Sequence, residues 1–389
     1  MARLEDVCIQ ITDGSHNPPT SVEKSKYLMI SSKNIDDDCI TLNNPRYLSK
    51  EDFDTENKRT NIEPGDLLMT IVGTIGRVAI MPNSFTKICV QRSVAVLKPK
   101  SDIVYNRFLM YYLQSMRPYL ERESRGVAQK GIYLKQIGSL TIFLPPLDEQ
   151  RKIAAVLDKV SDLIAKRRQQ LDKLDTLVKA RFVEMFGDTL LNSMEWPECR
   201  LDLMAEIVSG ITKGRKIKDT ELFEVPYMAV SNVKDGYIDW TTVKTIMATQ
   251  AEINQYRLLP LDVLMTEGGD PDKLGRGAII YRPPDNCIHQ NHIFRVRLNK
   301  AVLSPVYLEQ YLQQQRAKRY FLGCAKQTTG IASINMKQLS ALPILAPPLA
   351  LQVKYTAFIE QVNQSKISIQ KSCEKLEMLK KALIQQYFG

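Results

Sequence analysis

Between Leu144 and Asp188 apolar residues recur at alternating spacings of four and three: Ile153, Leu157, Val160, Ile164, Leu171, Leu174 and Val178, with Arg167 the one polar residue on the seam. A seam of that period, sustained for nearly four heptads, is what a helix pressed lengthwise against another helix requires. Pro145-Pro146 sets its start, because proline has no N–H to give a helix interior, and Gly187 sets its stop. A helix of about 38 residues at ~1.5 Å each is a rod of roughly 57 Å, and such a rod needs a partner for its seam.

The chain supplies one itself. Pro347-Pro348-Leu349 repeats Pro145-Pro146-Leu147, and Phe388-Gly389 repeats Phe186-Gly187 at the same shift; Leu157, Val160 and Leu174 return as Ile359, Val362 and Leu376. The flanks repeat as well as the pattern, so this is a duplicated element.

The segments before the rods repeat too. In the first, Leu4 to Gly14 reads as a short helix or strand running into a turn, Tyr27 to Ile30 as a strand, and Leu67 to Met81 as strand, glycine turn and strand. Val94 to Leu97 is a further strand, and Tyr105 to Glu123 has helical spacing. In the second, Ile207 to Gly210, Tyr227 to Asn232, Leu261 to Thr266, Gly275 to Ile280, Gln290 to Ile293 and Pro305 to Arg319 follow in the same order. The chain is therefore read as globular, rod, globular, rod, with a period of about 200 residues. The expected boundaries are 1–147 and 188–348 for the globular parts, and 148–187 and 349–389 for the rods.

Composition narrows the class. The chain has 389 residues, enough for two or more domains; 44% are hydrophobic and 25% charged, an ordinary globular balance. There is no apolar run of membrane-spanning length and Met1 to Asp6 is not a signal peptide, so a soluble, cytoplasmic protein with no membrane partner is expected. Seven cysteines stand far apart without a C-x-x-C pair, which argues against a zinc ribbon or disulfide framework. A net charge of +10 is compatible with a polyanion partner.

A search for catalytic chemistry finds little. Asn17-Pro18-Pro19-Thr20 is like an adenine-methyltransferase signature, but Thr20 stands where the base-stacking aromatic belongs. Gly73-x-x-Gly76 and Gly268-Gly269 lack the Gly-Lys-Ser/Thr of a phosphate-cradling loop. Glu267, Asp270 and Asp272 read as a loop, and on a strand Cys287 and His289 would face away from His292. No catalytic site and no metal site are expected. A self-contained DNA-modifying enzyme and a coiled-coil assembly protein without DNA are the competing classes.

What remains is polar and basic side chains in corresponding loops of the two halves. In the first these are Ser15, His16, Asn17, Lys33, Asn34, Thr74, Arg77, Gln91, Arg92, Arg125, Gln129 and Lys130. In the second they are Thr212, Lys213, Arg215, Lys216, Asn232, Lys273, Arg276, Gln290, Asn291, Lys326, Gln327, Thr328 and Thr329. Arginine and lysine can meet guanine edges, asparagine and glutamine adenine edges, and all of them phosphate. A duplication that keeps its scaffold while its loops differ suits two related recognition tasks with different targets. Two modules joined by antiparallel rods would sit at opposite ends with approximate twofold symmetry, matching a duplex with two half-sites and an unread gap.

Leu134-Lys135-Gln136-Ile137, the run from Leu144 to Ile153, the opening Ile11 to His16 and Pro64 to Leu68 resemble the specificity subunit of Type I restriction-modification enzymes, and the likeness covers essentially the whole chain. The second copy departs at Ala350-Leu351-Gln352, which keeps a glutamine matching Gln150 but not Glu149. The resemblance implies an α+β fold: two target recognition domains, each reading half of a split site on double-stranded DNA, separated by two long helices that pair as an antiparallel coiled coil. It implies a non-catalytic chain without cofactors of its own. Its partners would be two modification subunits, which carry S-adenosylmethionine and methylate adenine, and restriction subunits using ATP and magnesium.

Overall fold

The computed structural model describes residues 1–124, 130–216, 221–269, 274–328 and 331–389. Arg125, Gln129, Lys273 and Thr329 lie outside them, as do the side chains of Gln327 and Thr328. The chain forms two compact units, one of residues 1–170 with 369–389 and one of residues 171–368.

In the first unit a four-stranded antiparallel sheet runs Cys8–Asp13, Val94–Pro99, Leu67–Thr70, Val78–Ile80. A three-stranded sheet, Arg46–Leu48, Tyr27–Ile30, Ile88–Val90, adds a parallel pair between its last two members. The first stretch is both things its sequence offered: one helical turn, Leu4–Val7, and then the strand. The helical stretch after Tyr105 is two helices, Asn106–Ser115 and Arg117–Glu123, separated at Met116 with Pro118 just inside the second. The first of them buries Phe108, Leu109, Tyr111 and Tyr112 with Leu67, Met69 and Val78 of the sheet.

The second unit has the same order. Ala205–Ser209, Ile293–Leu298, Val263–Thr266 and Gly277–Ile279 form the four-stranded sheet; Lys244–Ala248, Phe223–Met228 and Ile288–His289 form the three-stranded one, again with a parallel pair. Helices Pro305–Leu312 and Gln315–Cys324 follow. A ribbon of Gly268–Gly269, Ile331–Ser333 and Lys326–Thr328 extends one end.

The two rods are single helices, Leu147–Phe186 and Leu349–Phe388, of 40 residues each. In the first unit Ile153 and Leu157 share a core with Leu383, Ile384, Tyr387 and Phe388, and Val160 and Ile164 pack with Cys373 and Leu376. The start of one helix thus meets the end of the other, an antiparallel seam. The Phe388 ring closes it edge-on against Phe108, centroids 5.2 Å apart. In the second unit Val178, Phe182 and Phe186 pack with Tyr355, Ile359 and Val362 in the same sense. Phe182, which by spacing alone could have lain on the outer face with Leu163, Leu177 and Met185, is fully buried. It stands one turn beyond Val178 and stacks on Tyr307 at 5.7 Å. Met185 is partly buried against the same core, whereas Leu163 and Leu177 are about half exposed.

Each rod is bolted to its own unit by a buried glutamine one turn from the Pro-Pro start. Gln150 Oε1 accepts the Tyr105 N–H at 2.8 Å, and its Nε2 donates to the carbonyls of Ile103 (3.1 Å) and Pro145 (2.8 Å). Gln352 accepts the Ser304 N–H at 2.8 Å and donates to Val302 (3.2 Å) and Pro347 (2.8 Å). Both glutamines are fully buried, and Glu149, which the second copy lacks, is exposed.

Candidate nucleic-acid interface

Antiparallel registry decides where the loops go. Asp13 faces Ala95, Val94 faces Thr70, and Met69 faces Val78. The chain leaves or joins all four strands at the same end of the sheet, so the loops after Asp13 and Thr70 and the loop before Val94 emerge together. In the second unit Ser209 faces Phe294, Thr266 faces Ile293 and Met265 faces Gly277, which gathers the corresponding loops.

A close backbone crossing fixes the first loop in each unit. Ser15 donates its N–H to Val90 O at 2.9 Å and accepts from Arg92 at 2.8 Å; Ile211 donates to His289 O at 3.0 Å and accepts from Asn291 at 3.0 Å. The residue before each is glycine because nothing larger fits: a Cβ on Gly14 would lie 1.9 Å from Val90 O, and one on Gly210 the same distance from His289 O. His289 itself is buried, with Nδ1 3.0 Å from Ile293 O, and burial pushes its pKa down to about 4. Among the described residues no cluster of histidine, cysteine or carboxylate groups could hold a metal ion.

In the first unit this end of the sheet presents exposed His16, Asn17, Thr74, Arg92, Lys33 and Lys130, with Ser15, Gln91 and Arg77 half-buried. Two clefts open among them. One, of about 300 Å³, is lined by Gly14, Ser15, His16, Asn17, Thr55, Glu56 and Arg59. At its edge the buried Asp13 carboxylate accepts from Arg59 Nη2 at 2.5 Å and pairs with His16 Nε2 at 2.9 Å, which orients both side chains. The other, of about 380 Å³, is bounded by the glycine turn Gly73 to Ile75, by Arg77, Arg117 and Lys130, and by Glu121 and Ser124. Gly73 and Gly76 adopt φ of +83° and +80°, the left-handed region open to glycine. Arg117 Nε donates to Gly76 O at 3.1 Å and so holds the turn; Arg77 Nη1 pairs with Asp36 at 2.7 Å.

In the second unit Thr212, Lys213, Lys216 and Lys326 are exposed, and Arg276, Gln290 and Asn291 half-buried.

Three sequence candidates are reassigned. Asn34 and Asn232 are buried and spend their amides inside the chain. Asn34 accepts the Ser31 N–H and donates to Thr41 O and Asn43 O; Asn232 accepts the Ala229 N–H and donates to Asp239 O and Thr242 Oγ1. They shape a 3₁₀ turn and have no donor left for a base. Arg215 is held by both oxygens of Glu252 and by Met247 O, so its charge is already neutralised. The structure adds Arg59 and Arg117, each far in sequence from the loop it supports; no local pattern marked either.

Against known proteins, the Type I restriction modification DNA specificity domain matches residues 3–175 and again 194–381, and the chain belongs to that family. The Escherichia coli K12 Type I restriction enzyme EcoKI specificity subunit is 22% identical over 281 residues, covering 69% of this chain and 60% of that one. The Escherichia coli EcoBI specificity subunit is 30% identical over 190 residues, 47% of this chain and 39% of that one. The chain thus spans less than two thirds of either relative's length. A chain in a solved structure concerned with complex assembly and conformational transition of the type I R-M system shares the fold with a TM-score of 0.58 at 17% identity, covering 100% of this chain and 96% of that one. No helix among the described residues is long and apolar enough to cross a membrane.

Proposed function

We propose that this chain is the DNA-specificity subunit of a Type I restriction-modification complex. Each unit reads one half of a split target on double-stranded DNA, and the paired helices set the unread gap. The observation that carries this reading is the shared anchor, Ser15 on Gln91 and Ile211 on Gln290, from which loops of different chemistry hang at the same end of the same sheet. The first unit offers His16, Asn17, Arg77, Arg92 and Lys130 there, and the second Thr212, Lys213, Arg276, Gln290 and Asn291. Cations supply phosphate attraction, and the amides and guanidinium groups supply base reading.

On this reading the chain does no chemistry and holds no cofactor. Two modification subunits bring S-adenosylmethionine and methylate adenine, restriction subunits bring ATP and magnesium, and the assembly works in the cytoplasm of a prokaryote. The test is a genome-wide map of methylated adenines in cells with and without the gene. Loss of one gapped two-part motif on deletion is the expected result; an unchanged map in cells that express the modification subunits overturns the reading. Shortening both helices by one or two turns is expected to change the gap and leave both halves as they were.

A further inference from the structure

At one shared position the two units exchange an apolar side chain for an acidic one. In the first, Ile71 donates its N–H to Ser93 O at 2.9 Å and accepts from Ile132 at 2.9 Å; in the second, Glu267 donates to His292 O at 3.0 Å and accepts from Ile334 at 2.8 Å. The backbone arrangement is the same, so Glu267 stands where the first unit has Ile71, and His292 where it has Ser93. Ile71 is buried, but the Glu267 side chain is 34% exposed and that of His292 55%. His292 Nδ1 lies 2.5 Å from Glu267 Oε2, and Asn291 Nδ2 lies 3.3 Å from His292 Nε2. Glu267 immediately follows the strand whose last residue, Thr266, bonds to Arg276 O, and it precedes the Gly268–Gly269 strand. It sits among the loops assigned to DNA.

We infer that Glu267 is a specificity-determining residue of the second unit, accepting a hydrogen bond from the exocyclic amino group of a base in the major groove, cytosine N4 foremost, with His292 as the positioning residue that fixes its carboxylate. The inference rests on the DNA-specificity reading. A carboxylate on a surface that approaches phosphates is repelled by them, so its place there calls for a partner on the DNA that donates. Among base edges in the major groove only the amino groups of cytosine and adenine do so; thymine O4 and guanine O6 accept. A carboxylate has no proton to offer those keto oxygens and rejects them.

The experiment is selection of bound duplexes from a randomised pool by the full chain, comparing wild type with E267Q, E267A and H292A. Wild type is expected to enrich a two-part motif in which one position of one half demands an amino base. The E267Q amide both donates and accepts, so that position should admit the keto base of the same size, thymine for cytosine or guanine for adenine, with discrimination falling about tenfold or more. E267A should lose preference at that position without gaining the keto base. H292A should loosen that position alone, which a merely structural role would not do. The other half-site should be unchanged in all three. Wild-type discrimination at every position in E267Q and E267A overturns the assignment. A wild type that enriches no motif overturns the DNA-specificity reading itself, a different outcome.

Discussion

Gln150 accepts the backbone N–H of Tyr105 at 2.8 Å from a fully buried position, and so ties the first turn of a 40-residue helix to the segment leading into the helix Asn106–Ser115. Gln150→Ala would leave one N–H and two carbonyls unsatisfied in the interior, a cost of about 2–4 kcal/mol. Gln352→Ala should cost the same in the second unit. Both tryptophans, Trp196 and Trp240, lie in the second unit. Urea unfolding followed by tryptophan fluorescence should therefore register Gln352→Ala, and amide exchange in the first unit Gln150→Ala.

The crossing glycines give a second prediction. Gly14→Ala and Gly210→Ala each drive a methyl group into a carbonyl 1.9 Å away, so the bridge must part. A stability loss of about 2–4 kcal/mol is expected in each unit, with weaker DNA binding because the loop loses its anchor. Gly323→Ala is the control. It lies in a helix with nothing within 4 Å of its Cβ position, and should be neutral or stabilise by up to about 1 kcal/mol.

Salt dependence separates free cations from spent ones. Arg92→Ala and Lys130→Ala should weaken binding across sequences and reduce the slope of log affinity against log salt by about one each. Arg215→Ala should leave that slope unchanged, since Glu252 already neutralises the guanidinium. Equilibrium binding to duplex DNA at several salt concentrations measures all three.

The second unit carries two buried groups with opposite pH responses. Burial lowers His289 from 6.5 to about 4, and raises Glu309 from 4.5 to about 7. Neutral His289 contributes fully above pH 6.5, and its contribution is lost as pH falls toward 4. Protonated Glu309 contributes fully below pH 4.5, and its contribution is lost as pH climbs toward 7. Each is worth about 3 kcal/mol, and between pH 4.5 and 6.5 they oppose one another. Glu309→Gln should therefore make stability rise with pH across that window, and His289→Val should make it fall. Urea midpoints by tryptophan fluorescence at pH 4.5, 5.5 and 6.5 would show both slopes.

Much of the architecture was legible because it rests on local rules. Proline placement, heptad spacing and glycine turns act within a few residues, and the duplication let each half check the other. Phe182 shows where this stops: heptad counting ends with the seam, and the rings of Phe186, Tyr307 and Tyr355 around it decide where the phenylalanine goes. The interface was less legible. Asn34 and Asn232 have the chemistry of adenine readers, but the same amide closes a 3₁₀ turn equally well, and only burial separates the two uses. Arg117 serves a glycine turn from a helix 41 residues on, a relation set by packing. By sequence Glu267 groups with its neighbours Asp270 and Asp272, yet the group it touches, His292, arrives from the turn that leads into the strand Ile293–Leu298.

The Ser15–Gln91 and Ile211–Gln290 bridges have one more consequence. Both join backbone to backbone, so neither specifies the side chains that follow. A segment cut after Gly14 or after Gly210 ends on the same scaffold in the same direction. The anchor behaves as a standard socket of backbone bonds: a segment that begins after Ser15 or after Ile211 leaves it in the same direction in either unit, while Ile211 itself stays with its own core of Val225, Tyr227 and Ile288.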